Sequence, residues 1–337
     1  MRLPGGGGRR RHRAGAALGD QFLCNRVGWE WCRASVGKIR RHGAAPPDRH
    51  QLGASPPAGT RLAVHSRTPE RRRAMRVWCN GAMREGAAIE PGDRGFTLGD
   101  GLFETLRWAD GAARHLDRHL ARLRAGAAFL GIPLRWSDAE LGAAMAAVVR
   151  EPGLEQAAIR LSLSRGPSAR GLLPPSEPRP TVVVSAGPLP PAGSATAIVA
   201  RSTRRNEYSP LSRIKSLCYL DNVIAAREAA ECGADQALLL NTAGRLAESA
   251  AANLFLVSAG ELLTPPVSDG ALPGIARQLL IERCGAIERP LDVEALISAD
   301  HAFLSNSLGL RALNRIDGRT LAVDESLLSA LATRIDR

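Results

Sequence analysis

The chain has 337 residues, of which 45% are hydrophobic, and it carries a formal net charge of +12. This length is sufficient for two domains with buried cores. The charge lies at the beginning of the chain, because residues 1–74 hold 16 of the 45 Lys+Arg and 4 of the 33 Asp+Glu. Residues 75–337 carry 29 side chains of each sign, so the globular part gives no indication of nucleic-acid binding.

Residues 1–74 are rich in Gly, Pro, Ala and Arg and show no helical or strand period. This composition predicts a disordered leader or a start codon assigned too early. A transit peptide and an RNA-binding tail are the alternatives. Met75 resembles a real beginning, because Arg76–Cys79 has the pattern of a short strand that runs into an Asn80-Gly81 turn.

The six cysteines are scattered without the spacing of a metal site, which is typical of free thiols in a reducing cytosol. No stretch approaches the ~20 apolar residues that a membrane helix needs. No secretory signal is visible either. We therefore expect a cytoplasmic protein without a metal, a membrane anchor or a nucleic-acid partner.

From Met75 onwards, strand and helix patterns alternate, which indicates a mixed α/β fold with two domains. Strands are predicted around residues 103–108, 157–164, 181–184, 197–200, 237–241, 253–257 and 302–305, and helices over 116–130, 220–231 and 275–284. The Pro- and Gly-rich residues 188–194 are the best candidate for an interdomain linker. This linker would divide a small N-terminal domain, residues 75–187, from a larger domain, residues 195–337.

Lys215 is the only lysine in residues 75–337, and the other lysine of the chain is Lys38. Because nearly all other basic residues are Arg, a lysine at this position points to chemistry that a guanidinium cannot perform. A desolvated lysine loses its proton and attacks an aldehyde, as in the Schiff base of pyridoxal phosphate. The alternative is a surface lysine in an Arg-biased sequence.

Two further segments suit pyridoxal phosphate, which needs a lysine, a partner for its pyridine nitrogen and a phosphate cradle. Glu248 is followed by the small residues 249–252, which would allow the backbone to approach a flat ring closely. Pro273-Gly274 opens a predicted helix, whose free N–H groups and dipole favour phosphate binding.

These motifs resemble the class IV aminotransferases, the fold-type IV family of pyridoxal-phosphate enzymes. The family includes branched-chain amino-acid aminotransferases, D-amino-acid aminotransferases and 4-amino-4-deoxychorismate lyases. The resemblance rests on residues 96–104, 119–123, 214–215, 248–255 and 273–277, in this order and spacing. It implies a smaller N-terminal and a larger C-terminal α/β domain, and a homodimer with active sites at the domain interface.

The resemblance also implies roles for the residues that contact the cofactor ring. Lys215 matches the Schiff-base lysine, which moves a proton between the substrate α-carbon and the cofactor. Glu248 matches the acid that holds the pyridine nitrogen protonated, because an adjacent carboxylate raises the pKa of a pyridinium. Tyr219 resembles the tyrosine that binds the ring oxygen, although it follows Lys215 by one residue fewer than expected.

The phosphate group has its own set of matching residues. Arg122 matches the phosphate-binding arginine of the family. Ile275 and Ala276 match the backbone amides at the phosphate, and Ser307 would complete the cradle.

The segment 164–171 bears on the reaction, because it resembles the Ser-Arg-Gly…Arg-Gly stretch of the lyase. It also resembles the D-amino-acid enzyme, in which the residue that matches Arg170 holds the substrate carboxylate. Leu172 stands where that enzyme has a histidine, which argues against a D-specific site. Tyr219 and the Leu172-Leu173 pair favour a transaminase that exchanges an amino group between a hydrophobic amino acid and a 2-oxo acid by a ping-pong cycle. The alternative is the lyase, which eliminates pyruvate from aminodeoxychorismate to give 4-aminobenzoate.

Overall fold

The computed structural model describes residues 76–86, 89–150 and 153–336. The prediction of a disordered leader over residues 1–74 lies outside the described residues. The described chain forms two β-sheets with α-helices packed against them, so the predicted mixed α/β fold is confirmed. The domain division at residues 188–194 stays a prediction.

The first sheet is antiparallel throughout, with the strand order β2-β1-β6-β5-β3-β4. Its strands are β1 Arg76–Cys79, β2 Ala82–Glu85, β3 Gly101–Ala109, β4 Ala112–Ala113, β5 Ala157–Ser164 and β6 Thr181–Gly187. The predicted turn joins β1 to β2, and Asn80 and Gly81 have φ angles of 49° and 101°. Positive φ at both central residues is what a type I′ hairpin turn requires.

Three helices accompany this sheet. They are α1 Arg94–Leu98, α2 Leu116–Leu130 and α3 Asp138–Arg150. Leu120 of α2 and Met145 of α3 are fully buried against the sheet, together with Ile159 and Leu161 of β5. Arg160 lies between the last two residues and faces away from this core, because successive side chains of a strand point to opposite faces.

The second sheet has nine strands, in the order β12-β11-β10-β13-β14-β7-β8-β9, with β15 paired to β14. Its strands are β7 Ala195–Val199, β8 Gln236–Leu240, β9 Leu246–Ser249, β10 Asn253–Ser258, β11 Glu261–Thr264, β12 Ile287–Glu288, β13 His301–Asn306, β14 Gly309–Ile316 and β15 Arg319–Thr320. The pairings of β7 with β8 and with β14 are parallel, and β10 and β13 are antiparallel neighbours at the centre.

The helices of the second half are α4 Leu220–Glu231, α5 Ile275–Cys284, α6 Val293–Ser298 and α7 Glu325–Asp336. The helices α2, α4 and α5 have the bounds that the sequence predicts. Helix α5 packs over the stacked rings of Phe255 and Phe303, whose centroids lie 5.1 Å apart. Within the described residues, the structure contains no helix with the length and apolar character to cross a membrane.

A short backbone pairing joins the segment around Lys215 to strand β3. The N–H of Phe103 donates to the carbonyl of Lys215 at 2.9 Å, and the N–H of Leu217 donates to the carbonyl of Gly101 at 2.9 Å. Leu102 and Ser216 form the corresponding antiparallel bridge. The position of Lys215 is therefore fixed by main-chain hydrogen bonds to the first sheet.

Gly101 lies at the most crowded point of this pairing. A Cβ there would be 2.3 Å from the carbonyl oxygen of Leu163 and 2.9 Å from the Cα of Ser164. We expect Gly101→Ala to lower the free energy of unfolding by about 1–3 kcal/mol, because the backbone on both sides has to move. Chemical denaturation monitored by circular dichroism measures the difference.

Gly187→Ala is the matched control, since Gly187 ends strand β6 of the same sheet and a Cβ there would meet nothing within 4 Å. Its effect should stay within about 0.5 kcal/mol. Equal destabilisation by the two substitutions would contradict the crowding argument.

Candidate active site

A cavity lies next to the pairing of β3 with Lys215. It is lined by Arg122, Lys215, Tyr219, Glu248, Ser249, Ala251, Ala252, Asn253, Leu272, Gly274, Ile275, Ala276, Ser305, Asn306 and Ser307. The structure thus brings together seven of the eight residues that the sequence singles out. Arg170 is the exception, and the functional roles of all eight stay predictions.

Lys215 lies in the segment that pairs with β3, and its side chain lines the cavity. Burial lowers the pKa of its ammonium group to about 8, and the nearby guanidinium of Arg122 acts in the same direction. The carboxylates of Glu104 and Glu248 oppose the shift. Near physiological pH, Lys215 therefore has a far larger neutral fraction than an ordinary lysine, and the neutral amine is the form that attacks an aldehyde.

Two aromatic rings form a wall beside this lysine. The rings of Phe103 and Tyr219 meet edge to face with centroids 5.1 Å apart, and the Nζ of Lys215 lies 4.2 Å from the centroid of Phe103. Burial and the carboxylate of Glu248 raise the pKa of Tyr219 to about 12. Its hydroxyl group consequently stays protonated and is able to donate a hydrogen bond into the cavity.

Glu248 is carried by strand β9 and is buried. Its Oε2 accepts a hydrogen bond from the backbone N–H of Leu272 at 2.9 Å, and its Oε1 lies 3.1 Å from the Nε of Arg205. Burial raises the pKa of this carboxyl group, while Arg205 and the Leu272 N–H limit the shift. A buried carboxylate at this wall favours a protonated nitrogen on any ring bound against it.

Arg122 projects into the cavity from helix α2. Its Nε and Nη2 donate to the two carboxylate oxygens of Glu104 at 2.8 and 2.6 Å, and its Nη1 donates to the carbonyl of Pro273 at 3.0 Å. Glu104 also binds the Nδ1 of His119 at 2.7 Å. Glu104 thus binds one edge of the guanidinium plane, and other N–H groups of Arg122 are left for the cavity.

The first turn of α5 faces the same end of the cavity. Its first intrahelical hydrogen bond runs from the N–H of Gln278 to the carbonyl of Gly274, so the N–H groups of Ile275 and Ala276 precede the helical ladder. A Cβ at position 274 would lie 2.1 Å from the Oδ1 of Asn253, so any larger residue would have to displace that side chain. This close packing brings the helix N-terminus up to the cavity wall.

Ser305 and Ser307 come from the end of β13 and the turn that follows it, and both line the cavity. The Oγ of Ser305 is buried and has no hydrogen-bond partner within the described part of the chain. A buried hydroxyl group without a partner is costly unless a bound group satisfies it. With Arg122 and the start of α5, this serine suits an anionic group such as a phosphate.

Arg170 is exposed and lies outside the cavity lining. The loop that carries it is fastened by Arg94, which donates to the carbonyls of Gly171 and Leu172 at 2.9 and 2.7 Å. Leu172 and Leu173 are 83% and 87% exposed. In the single chain, this loop therefore presents its side chains to the surface.

Sequence reasoning missed four residues of the site, which are Glu104, His119, Arg160 and Arg205. Glu104 was detectable as the one acid of a mostly apolar strand, and His119 lies one helical turn before Arg122 on the same face of α2. Arg160 places its Cζ 4.0 Å from the ring centroid of Phe103, opposite the core face of β5. Arg205 follows a loop, and no local pattern marks it.

Comparison with known proteins shows the family to which the chain belongs. The family model for amino-transferase class IV matches residues 101–316. The chain belongs to the class IV aminotransferase family. Enzymes of this family depend on pyridoxal phosphate. The match includes Lys215, Glu248 and the start of α5, and it ends before helix α7.

Relatives with two different activities are similar to the chain. A Methanocaldococcus jannaschii protein named "Putative branched-chain-amino-acid aminotransferase" is 33% identical, over 73% of this chain and 90% of that protein. The aminodeoxychorismate lyase of Bacillus subtilis is 30% identical, over 69% of this chain and 83% of the lyase. The branched-chain aminotransferase structure from Thermoproteus uzoniensis has a TM-score of 0.71 and 28% identity, over 77% of this chain and 93% of that one.

The cavity residues fit pyridoxal phosphate at three points. Arg122, the first N–H groups of α5 and the unpartnered Oγ of Ser305 suit the phosphate group. Glu248 suits the ring nitrogen, and Lys215 lies between the two ends of the cavity.

The lowered pKa of Lys215 is directly measurable, because the chain contains only two lysines. Reductive ¹³C-methylation of the cofactor-free protein should give one dimethyl-lysine NMR signal that titrates near 8 and is lost in Lys215→Arg. Burial disfavours the ammonium form, so the neutral amine should appear as the pH rises through this value. Titration of the assigned signal near 10 would contradict the described burial.

Proposed function

We propose that this chain is a pyridoxal-phosphate-dependent transaminase that exchanges an amino group between an amino acid with an apolar side chain and a 2-oxo acid. The observation that carries this proposal is the placement of Lys215, with its pKa lowered to about 8, between Glu248 and Arg122 in one cavity. The proposed reaction requires a lysine that is both a nucleophile and a proton carrier.

The cofactor, when bound, supplies an electron sink for the bond that breaks at the substrate α-carbon. Lys215 would anchor the cofactor covalently, be displaced by the amino group of the substrate, and then accept and return the α-proton at its Nζ. A pKa near 8 suits both directions of this transfer at neutral pH.

Two buried groups would hold the ring in place during these steps. Glu248 would hold a proton on the ring nitrogen, with its own orientation fixed by the Leu272 N–H and Arg205. The protonated hydroxyl group of Tyr219 would donate a hydrogen bond to a ring oxygen. Arg122 and the start of α5 would retain the phosphate through the cycle.

The surroundings of Lys215 support a substrate with an apolar side chain and a carboxylate. Phe103 and Tyr219 form an aromatic wall beside its Nζ. Arg160 stacks on the Phe103 ring, donates to the Oγ of Ser162 at 3.2 Å and forms no ion pair with a described residue. The charge of Arg160 also acts on the amine of Lys215, and a guanidinium group that is not paired with a described carboxylate is suited to an α-carboxylate.

The test is a half-reaction monitored by visible spectroscopy on the full chain loaded with pyridoxal phosphate. L-Leucine, L-methionine, L-glutamate and D-alanine are added separately. We expect L-leucine and L-methionine to convert the absorbance of the lysine-linked cofactor into that of the amine form. D-Alanine serves as the stereochemical control.

The lyase alternative is supported by the resemblance of residues 164–171 and by the 30% identity to the Bacillus subtilis enzyme. If no amino acid converts the cofactor, aminodeoxychorismate is the next substrate, and release of pyruvate would replace transamination as the assigned reaction.

Lys215→Arg should abolish the lysine-linked absorbance and slow turnover by about 10²–10⁴-fold, because arginine keeps the charge but neither forms the linkage nor carries the proton. Arg213→Ala is the matched control, since Arg213 is exposed and only two residues away. An unchanged spectrum in Lys215→Arg would overturn the assignment of the lysine.

We further propose that two copies of the chain assemble. Large apolar side chains are left exposed on the described surface, among them Phe96, Leu172, Leu173, Leu220 and Val223. Exposed apolar residues in such number are typical of interaction sites. Light scattering after gel filtration should therefore give twice the mass of one chain, 35.8 kDa, and a monomeric mass at micromolar concentration would contradict this.

A further inference from the structure

Glu104 lies at the centre of a buried charge network with His119 and Arg122. Of these three residues, Arg122 lines the cavity. Glu104 and His119 are each 1% exposed. The carboxylate accepts two hydrogen bonds from Arg122, and its Oε2 lies 2.7 Å from the Nδ1 of His119. Because an ionised carboxylate only accepts, the Nδ1 of His119 carries the proton and donates.

The hydrogen bonds of Arg122 leave a defined part of its guanidinium group for a ligand. A guanidinium has five N–H bonds in a rigid plane. Two of them go to Glu104 and one goes to the carbonyl of Pro273. One N–H on each terminal nitrogen is left over, and Arg122 lines the cavity. These remaining donors match the spacing of two oxygens of a phosphate monoester.

The contact with Pro273 fixes where these donors point. Pro273 directly precedes Gly274, which is the N-cap residue of α5. The guanidinium group is thereby tied to the same chain segment that presents the first N–H groups of α5. Its position relative to those N–H groups is set by Glu104 on one side and Pro273 on the other.

Glu104 remains ionised although it is buried. Burial by itself raises the pKa of the Glu104 carboxyl, but the hydrogen bonds from Arg122 and His119 outweigh it and lower the pKa below its ordinary value. A neutral amide at this position would offer one acceptor oxygen and turn an NH₂ group toward other donors. The network therefore depends on the charge as well as on the shape of the side chain.

We propose that Glu104 and His119 are positioning residues, which orient Arg122 so that the site selects the phosphorylated aldehyde cofactor over its dephosphorylated form. This inference rests on the proposed function, since it presupposes that the cavity binds pyridoxal phosphate. Neither residue touches the cofactor in this assignment. Both act through the guanidinium of Arg122.

The experiment compares two ligands that differ only in the phosphate. Cofactor-free full-length protein is titrated with pyridoxal phosphate and with pyridoxal, and binding is monitored by absorbance. Glu104→Gln should weaken pyridoxal phosphate binding by about 10- to 100-fold, because hydrogen bonds to a charged group lose their fixed geometry. Pyridoxal affinity should change much less, because pyridoxal has no phosphate for Arg122 to bind; the loss of the Glu104 charge lowers the pKa of Lys215 for both ligands alike.

A pair of histidine variants keeps the inference testable if Glu104→Gln does not fold. Asparagine presents an amide N–H close to the position of the histidine Nδ1, whereas leucine offers no donor. His119→Asn should therefore retain most of the preference for the phosphorylated ligand, and His119→Leu should lose it in part. Thermal unfolding by circular dichroism shows whether each variant is folded.

Glu282→Gln is the matched control. Glu282 accepts two hydrogen bonds from Arg118, which lies on helix α2 as Arg122 does, but this ion pair is on the exposed surface. This variant should bind both ligands as the unmodified protein does.

The outcomes separate the inference from the proposed function. Equal loss of affinity for pyridoxal phosphate and pyridoxal in Glu104→Gln would assign Glu104 a structural role and overturn the inference, as would unchanged binding of both. Failure of the unmodified protein to bind pyridoxal phosphate at all would overturn the proposed function instead.

Discussion

The site depends on strand β3, which supports two functional groups from opposite faces. The ring of Phe103 lies 4.2 Å from the Nζ of Lys215, and the side chain of the next residue, Glu104, accepts hydrogen bonds from Arg122. Adjacent residues of a strand point to opposite faces. One strand therefore positions both the lysine and the arginine, and the absence of a side chain at Gly101 allows the segment around Lys215 to lie close to it.

Charge balance inside the cavity follows from this arrangement. Three cations, Lys215, Arg122 and Arg205, face two buried carboxylates, Glu104 and Glu248. The arginines keep their protons under all ordinary conditions, so burial changes the charge of the lysine instead. Burial is the main cause of the lowered pKa of Lys215, and the guanidinium groups of Arg122 and Arg160 act in the same direction.

The sequence predicted some of the helices and strands and missed others of similar length. Helices α2, α4 and α5 have the predicted bounds, because each has an apolar period and α2 and α5 end at a glycine in the left-handed conformation. Helices α3 and α7 were not predicted. Strand β9, which carries Glu248, was not predicted either, since four residues are too few for a clear alternation.

The sequence by itself determined the family and indicated the candidate reactive groups, because a lone lysine, a spaced acid and a Pro-Gly helix start are local patterns. It also determined that Arg122 belongs to the site, through a motif on one helix face. Only the tertiary structure decided what controls these groups. Glu104, His119 and Arg205 act across 15 to 43 positions of the chain. Hydrogen bonds over such separations depend on how the sheets and helices pack, and no local period records them.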